Sequence, residues 1–293
     1  MPNSNISNQV KDLEKHNLIV RMVRVVTVPF LNFLPEGVIK LFMRKTSRDA
    51  SVVVAKGGTT HALEAMYGRS QRKLFSRGIL QGIADIFWHH IVSQPKSLRN
   101  RLKIVQKVMG EKIIILLKAR RDISILSIAG GSSRSIMYTL QSLRALGIKS
   151  NIRVVTIDKD ITALDVGKRI ANELKLQDCF EWVHGTASQV STLFPNKKFD
   201  MVEIVGLLDY FDFARAVRLI SLSKELLNEG GFIIIANVMP NSEKPFVHKT
   251  GWPAMYYRTP EETRQLLVAS GFVHSNEVLI EPLNIHCVCV GQK

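Results

Sequence analysis

Four short stretches of this sequence carry residue types that could hold a nucleoside and a charged tail. In the first, Ile125-Leu126-Ser127-Ile128 runs into Ala129-Gly130-Gly131-Ser132 and then a helical pattern from Ser135. Small residues let a backbone approach a ligand closely, and turn amides ahead of a helix attract anionic or polar groups. In the second, an apolar run ends in Asp158-Lys159-Asp160. An acidic residue at such a tip is placed to accept hydrogen bonds from ribose hydroxyls, and Asp158 is expected to do so, while Asp160 caps the helix that opens at Ile161. The third ends in Gly185-Thr186-Ala187, whose small side chains leave room for a flat ring, and the fourth ends in Gly206-Leu207. On the substrate side the expected residues are Tyr210, Tyr257 and Arg258. Should the acceptor be a hydroxyl or an amine, a base is needed, with Asp209, His184 and His248 as candidates.

These stretches need elements that bring them together. From Ile123, β-branched runs alternate with helical segments, as in βα units around a parallel sheet. The pattern predicts strands at Ile123–Ile128, Arg153–Ile157, Phe180–His184, Met201–Val205 and Phe232–Val238. Helices are predicted at Ser135–Leu146, Ile161–Leu174, Thr186–Leu193 and Phe213–Leu227. Two last apolar runs, Val273–Ile280 and Asn284–Val290, are joined by so short a turn that only antiparallel pairing is open to them. The expected fold is α/β, a Rossmann-like, seven-stranded, mostly parallel sheet closed by an antiparallel hairpin strand. Ligands of open α/β sheets sit beyond the carboxyl ends of the strands, so the four tips should share one crevice.

This half resembles the class I S-adenosylmethionine-dependent methyltransferases, and Leu226-Leu227-Asn228-Glu229-Gly230-Gly231-Phe232 looks like their turn before the fifth strand. The resemblance implies S-adenosylmethionine as cofactor, held by Ala129, Gly130, Gly131, Ser132, Asp158, Lys159, Gly185, Thr186, Ala187, Gly206 and Leu207. It departs from the family at Ser127, where an acidic residue is common, and at Ala129 and Ser133, where glycines are. Asp158-Lys159-Asp160 with Ala163-Leu164, Gly206-Leu207-Leu208-Asp209-Tyr210, and Trp252 with Tyr257-Arg258-Thr259 look similar to bacterial methyltransferases that make hydroxypalmitate methyl ester. That likeness implies a fatty acyl carboxylate as acceptor.

The front of the chain differs in charge. Residues 1–122 carry 22 Lys/Arg against 8 Asp/Glu, a net +14, whereas residues 123–293 carry 18 against 17, a net +1. Three regions follow: a basic amphipathic segment over 1–58, a helical region over 59–122, and the cofactor-binding domain over 123–293. Residues 1–17 look like a loose tail. Leu18 to Val28 is helical with Pro29 ending it, and a second basic amphipathic segment runs from Val38 to Lys45. Both could pack on the main domain or lie on an anionic bilayer. Arg69, Arg72, Lys73 and Arg77 fall on one helical face.

Three cysteines, two alternating in one apolar run, make neither a disulfide framework nor a zinc site, and the vicinal His89 and His90 point apart on a helix, so no metal is expected. No signal peptide is visible, and the longest uncharged run, Val25 to Pro35, is too short to span a bilayer. The expected place is the cytoplasm, in contact with the inner face of the membrane. The segment from Met239 to Thr259, with its prolines and aromatics, is the expected substrate lid. The leading expectation is methyl transfer to a small molecule with a lipid-like carboxylate or hydroxyl. The alternatives are an RNA methyltransferase gripping phosphates with its basic front, less favoured because no RNA-binding module is recognisable, and a catalytically silent cofactor-binding protein.

Overall fold

The computed structural model describes residues 12–68, 78–148, 150–272 and 274–293. The predicted face of Arg69, Arg72, Lys73 and Arg77 lies outside the described residues. Seven strands form one sheet: β1 (Asp122–Ile128), β2 (Asn151–Asp158), β3 (Phe180–His184), β4 (Phe199–Val205), β5 (Leu227–Val238), β6 (His274–Ile280) and β7 (His286–Gln292). Their order is β3-β2-β1-β4-β5-β7-β6, with the first five parallel and β7 antiparallel to both neighbours. The Rossmann-like sheet and its reversed strand are therefore as the hydrophobic alternation predicts.

Among the described residues, twelve α-helices accompany it. Before the sheet come α1 (Leu18–Phe33), α2 (Glu36–Thr46), α3 (Arg48–Lys56), α4 (Thr60–Tyr67), α5 (Ile79–Ile86) and α6 (Ser93–Leu117), with a π-turn at Phe87–Ile91 between the last two. Between the strands lie α7 (Arg134–Ala145), α8 (Ile161–Glu173), α9 (Val190–Leu193) and α10 (Phe213–Glu225). After β5 come α11 (Lys244–Lys249) and α12 (Pro260–Ala269).

Alternation in the strands builds two cores. Ile125, Val154, Met201 and Ile234 face one side, where they meet Ile104, Met109 and Ile113 of α6 together with α7 and α8. Leu126, Ile157, Val202 and Ile233 face the other, beneath α9, α10 and α12. A third cluster joins Ile39, Met43, Val53, Met66, Trp88 and Leu98 to Phe246 and Val247 of α11. The front helices thus pack on the segment that follows β5. They do so tightly: a Cβ on Gly57 would lie 3.1 Å from the Gly251 carbonyl, and one on Gly58 2.8 Å from the Pro253 ring.

Three local expectations are corrected. Pro29 does not end α1, which continues to Phe33. The carbonyl that loses its partner belongs to Val25, an exposed residue, so water replaces the missing hydrogen bond. Residues 12–17 are not a loose tail. Glu14 forms an ion pair with buried Arg99 at 2.5 Å, Asn100 donates to the Glu14 carbonyl, and buried His16 bonds Ser93 Oγ. The helix expected over Thr186–Leu193 is a 3₁₀ turn, Ala187–Gln189, followed by the single turn α9. Thr186 and Gln189 form a capping box there.

Ile104 is fully buried in α6 against the sheet. Ile104→Ala is expected to lower stability by about 2–5 kcal/mol, read as a shifted midpoint in guanidinium unfolding. A midpoint within error of the parent would show that α6 is not part of the sheet's core.

Candidate functional site

The connections leave β1 and β4 toward opposite faces, and a crevice opens where they part. The turn after β1 lines it. Ala129, Gly131 and Ser133 all have positive φ, at 52°, 53° and 50°. Two of the three are not glycine, so the turn holds strain that its surroundings must maintain. Gly130 admits no side chain, because a Cβ there would sit 2.2 Å from Ser127 Oγ. Gly131 is crowded likewise, 2.4 Å from Thr60 Oγ1, which brings the start of α4 onto the turn.

Asp158 ends β2 beside this turn. Its Oδ2 accepts the Gly131 amide and its Oδ1 the Asp160 amide, both at 2.9 Å. Burial raises its pKa, and the two amides oppose that. Each carboxylate oxygen keeps a lone pair for a further donor. Asp160 caps α8 by accepting from Thr162 N. The Gly185 amide donates to the Asp158 carbonyl, so the third tip is tied to the second, and His184 Nε2 donates to the Lys159 carbonyl.

Sequence reasoning missed two groups here. Ser127 pairs in register with Glu203 on β4, and Glu203 accepts from Ser127 Oγ at 2.8 Å and Ser135 Oγ at 2.5 Å. A buried carboxylate on the neighbouring strand is thus tied to Ser127. Burial raises the pKa of Glu203, countered by the two hydroxyls and then by Arg101. A carboxylate inside the apolar run Met201–Val205 was the available signal. The second group is Arg101 of α6, only 3% exposed. Its Nε has no partner, and its guanidinium makes no hydrogen bond or ion pair among the described residues. It borders a cavity of about 70 Å³ with Thr60, the Ala129–Ser132 turn and Glu203. It also borders a second, of about 60 Å³, with Gly206, Asp209, Tyr210 and His286.

That second cavity is closed by the front helices and by the segment after β5, through Met66, Trp88, Leu98, Phe246 and Trp252. Tyr210 lines it and accepts from Trp252 Nε1 at 3.0 Å; burial, then the Asp209 charge, pushes its pKa up. Asp209 is buried, and its Oδ1 accepts the Val238 amide. Tyr257 does not line the cavity. Lys244 Nζ lies 4.7 Å over its ring, and burial followed by the Asp209 charge pushes its pKa up to about 12. Arg258 is placed as a clamp: Nη1 donates to the Leu208 carbonyl at 2.9 Å and to Asn237 Oδ1 at 2.8 Å, and Nη2 donates to the Phe211 carbonyl. It anchors the loop after β4 instead of facing the cavity.

His286, at the start of β7, was also missed. Its Nδ1 lies 2.6 Å from Ser97 Oγ, and Ser97 donates to Glu281 at 2.9 Å. Glu281 accepts also from Asn100 and from the Leu283 and Ile285 amides, so it is fixed as the acceptor. Ser97 has one proton, given to Glu281, and therefore His286 Nδ1 carries a hydrogen and Nε2 a lone pair. Burial, then the Arg101 charge, holds the His286 pKa well below the usual imidazole range. His89 of the vicinal pair is bonded to Asp49 at 3.0 Å, and no cluster fit to hold a metal ion occurs among the described residues.

Solved structures supply the comparison. A protein of Bordetella parapertussis, described as a candidate exported protein, superposes with a TM-score of 0.60 at 15% identity over 89% of this chain and 97% of that one. A candidate O-methyltransferase from Nostoc punctiforme gives 0.55 at 17% identity, over 84% and 71%. Magnesium protoporphyrin IX methyltransferase from Synechocystis, solved with S-adenosylhomocysteine bound, gives 0.55 at 12% identity, over 84% and 99%. The chain shares their fold. No protein-family model matches it, and no curated protein matches its sequence.

Arg258→Met, which strips three acceptors of their donor, is expected to destabilise the chain by about 2–4 kcal/mol in urea unfolding. An unchanged midpoint would mean that the clamp contributes nothing to the fold.

Proposed function

We propose that this chain is an enzyme that transfers the methyl group of S-adenosylmethionine to a small, lipid-like acceptor bearing a carboxylate. The observation that carries the proposal is the buried guanidinium of Arg101, which makes no hydrogen bond among the described residues and is set between the cavity at the Ala129–Ser132 turn and a largely apolar one. Buried N–H donors left without an acceptor are costly, and a carboxylate ligand relieves that cost.

The residues present fit the cofactor. Asp158 would accept the ribose hydroxyls on its remaining lone pairs, Gly185, Thr186 and Ala187 would flank the adenine, and the amides of the Ala129–Ser132 turn would meet the amino-acid half. Lys159, Gly206 and Leu207 complete the walls. Glu203 would take the cofactor's ammonium, replacing the acid missing at Ser127. When bound, the cofactor supplies a methyl group activated by its sulfonium. The bound S-adenosylhomocysteine in the Synechocystis enzyme supports this choice.

For the acceptor, a third cavity of about 290 Å³ supports an aliphatic tail. Its lining is apolar apart from Thr27, Thr46 and Ser47, and it shares Trp88 and Phe246 with the cavity that Arg101 borders. That volume is at the lower end of ligand pockets, which start at roughly 300 Å³. A carboxylate nucleophile is already ionised, so positioning and exclusion of water would supply most of the rate. Tyr210 and Trp252 would orient the head group, with Tyr257 behind them and Arg258 holding the loop. We place the protein in the cytoplasm, at the inner face of an anionic membrane.

A hydroxyl acceptor is the second reading, favoured by His286 alone. Its Nε2 lone pair, set by Ser97 and Glu281, could take the proton that such an acceptor must lose.

Asp158→Ala is expected to weaken S-adenosylmethionine binding by about 1–3 kcal/mol in calorimetry, with Glu203→Gln falling in the same range. Unchanged affinity in both would remove the cofactor assignment. His286→Asn separates the acceptors. Transfer to a carboxylate should stay within a few-fold of the parent, whereas transfer to a hydroxyl should fall by about 10²-fold or more.

A further inference from the structure

The helices around the apolar cavity turn a second apolar face outward. Val25 (75% exposed) and Phe33 (85%) on α1, Leu41 and Phe42 on α2, and Ile79 and Leu80 (79%) on α5 all stand in solvent. Exposed apolar side chains gathered on neighbouring helices mark an interaction site. Phe30, Val38 and Phe42 line the cavity and are themselves about half exposed. The cavity therefore opens within this face.

The face is bordered by exposed basic side chains, Arg21, Arg44, Lys45 and Arg48, on a front half of net charge +14. A second copy of the chain would bring like charges together, whereas an anionic surface complements them. Neither α1 nor α2 is long and apolar enough to cross a bilayer, and together they bend by 118°. Helices with one apolar face and basic flanks lie in the interface plane.

We infer that the outer faces of α1, α2 and α5 dock on an anionic bilayer, and that the apolar cavity opens into it, so that a single-chain amphiphile reaches the site from the lipid phase. The tail then passes from one apolar medium to another without exposing its methylenes to water. Only the identity of that amphiphile as the methyl acceptor rests on the function proposed above.

The full chain should sediment with phosphatidylcholine vesicles that contain phosphatidylglycerol, much less with phosphatidylcholine alone, and added salt should weaken the association. The variant V25E/F33E/L80E alters only exposed positions. It should partition at least about 10-fold more weakly while binding S-adenosylhomocysteine as the parent does. Doxyl-labelled stearate carried in the vesicles should quench emission from Trp88, seen as the part of the quenching that Trp88→Phe removes. Docking is overturned if the triple variant sediments like the parent, if the parent ignores both vesicle types, or if the parent is instead a dimer that the variant dissociates. Quenching that is the same in Trp88→Phe overturns the opening of the cavity into the lipid. Loss of S-adenosylhomocysteine binding by the parent would sink the methyltransferase reading and leave the docking result standing.

Discussion

Everything at the site depends on one buried charge arrangement where β1 meets β4. Arg101 approaches from α6, Glu203 from β4 and Asp209 from the loop beyond it, all of them buried. In low dielectric such groups interact strongly, and none is easily removed without stranding another. Glu203 is satisfied by Ser127 and Ser135, and Asp209 accepts the Val238 amide, yet the guanidinium is left without a hydrogen bond among the described residues. The fold thus holds a donor in reserve at the junction of two cavities. The strained turn at Ala129–Ser133 belongs to the same arrangement, since Gly130 packs on Ser127 and Gly131 on Thr60.

The basic front helices have a structural role as well as a charge. Through α6 they share the core beneath the sheet, and through α3, α4 and the π-turn they cover the carboxyl ends of its strands. The result is a site walled by two regions far apart in sequence. Trp88 and Phe246, 158 positions apart, together separate the apolar cavity from the one that Arg101 borders. A wall built this way puts apolar side chains beside the Arg101 charge, which strengthens the electrostatic contacts behind it.

The hydrophobic period was enough to locate the strands. Each predicted strand from Ile123 onward overlaps an observed one, and the central ones were plain because a strand buried on both faces leaves a near-continuous apolar run. Asp158 and the Gly130-Gly131 turn were legible for a similar reason: each is a local break from apolar to small or acidic residues at a strand tip. Glu203, Arg101 and His286 were not. Each sits inside an otherwise ordinary strand or helix, and its meaning comes from a partner on another element: Ser127 across the sheet, Gly206 across the crevice, Ser97 across the core.

Sequence alone determined the βα order, the reversed last strand and the split between a basic front and a neutral back. These follow from residue type and spacing, which act within a few positions along the chain. Tertiary structure decided that Arg258 clamps a loop, that residues 12–17 are anchored through Glu14, that Pro29 rides inside a helix, and that a carboxylate on β4 takes the hydroxyl of Ser127 on β1. In each case the deciding force is burial against a distant element, and burial depends on what the fold brings together, not on what is adjacent in the chain.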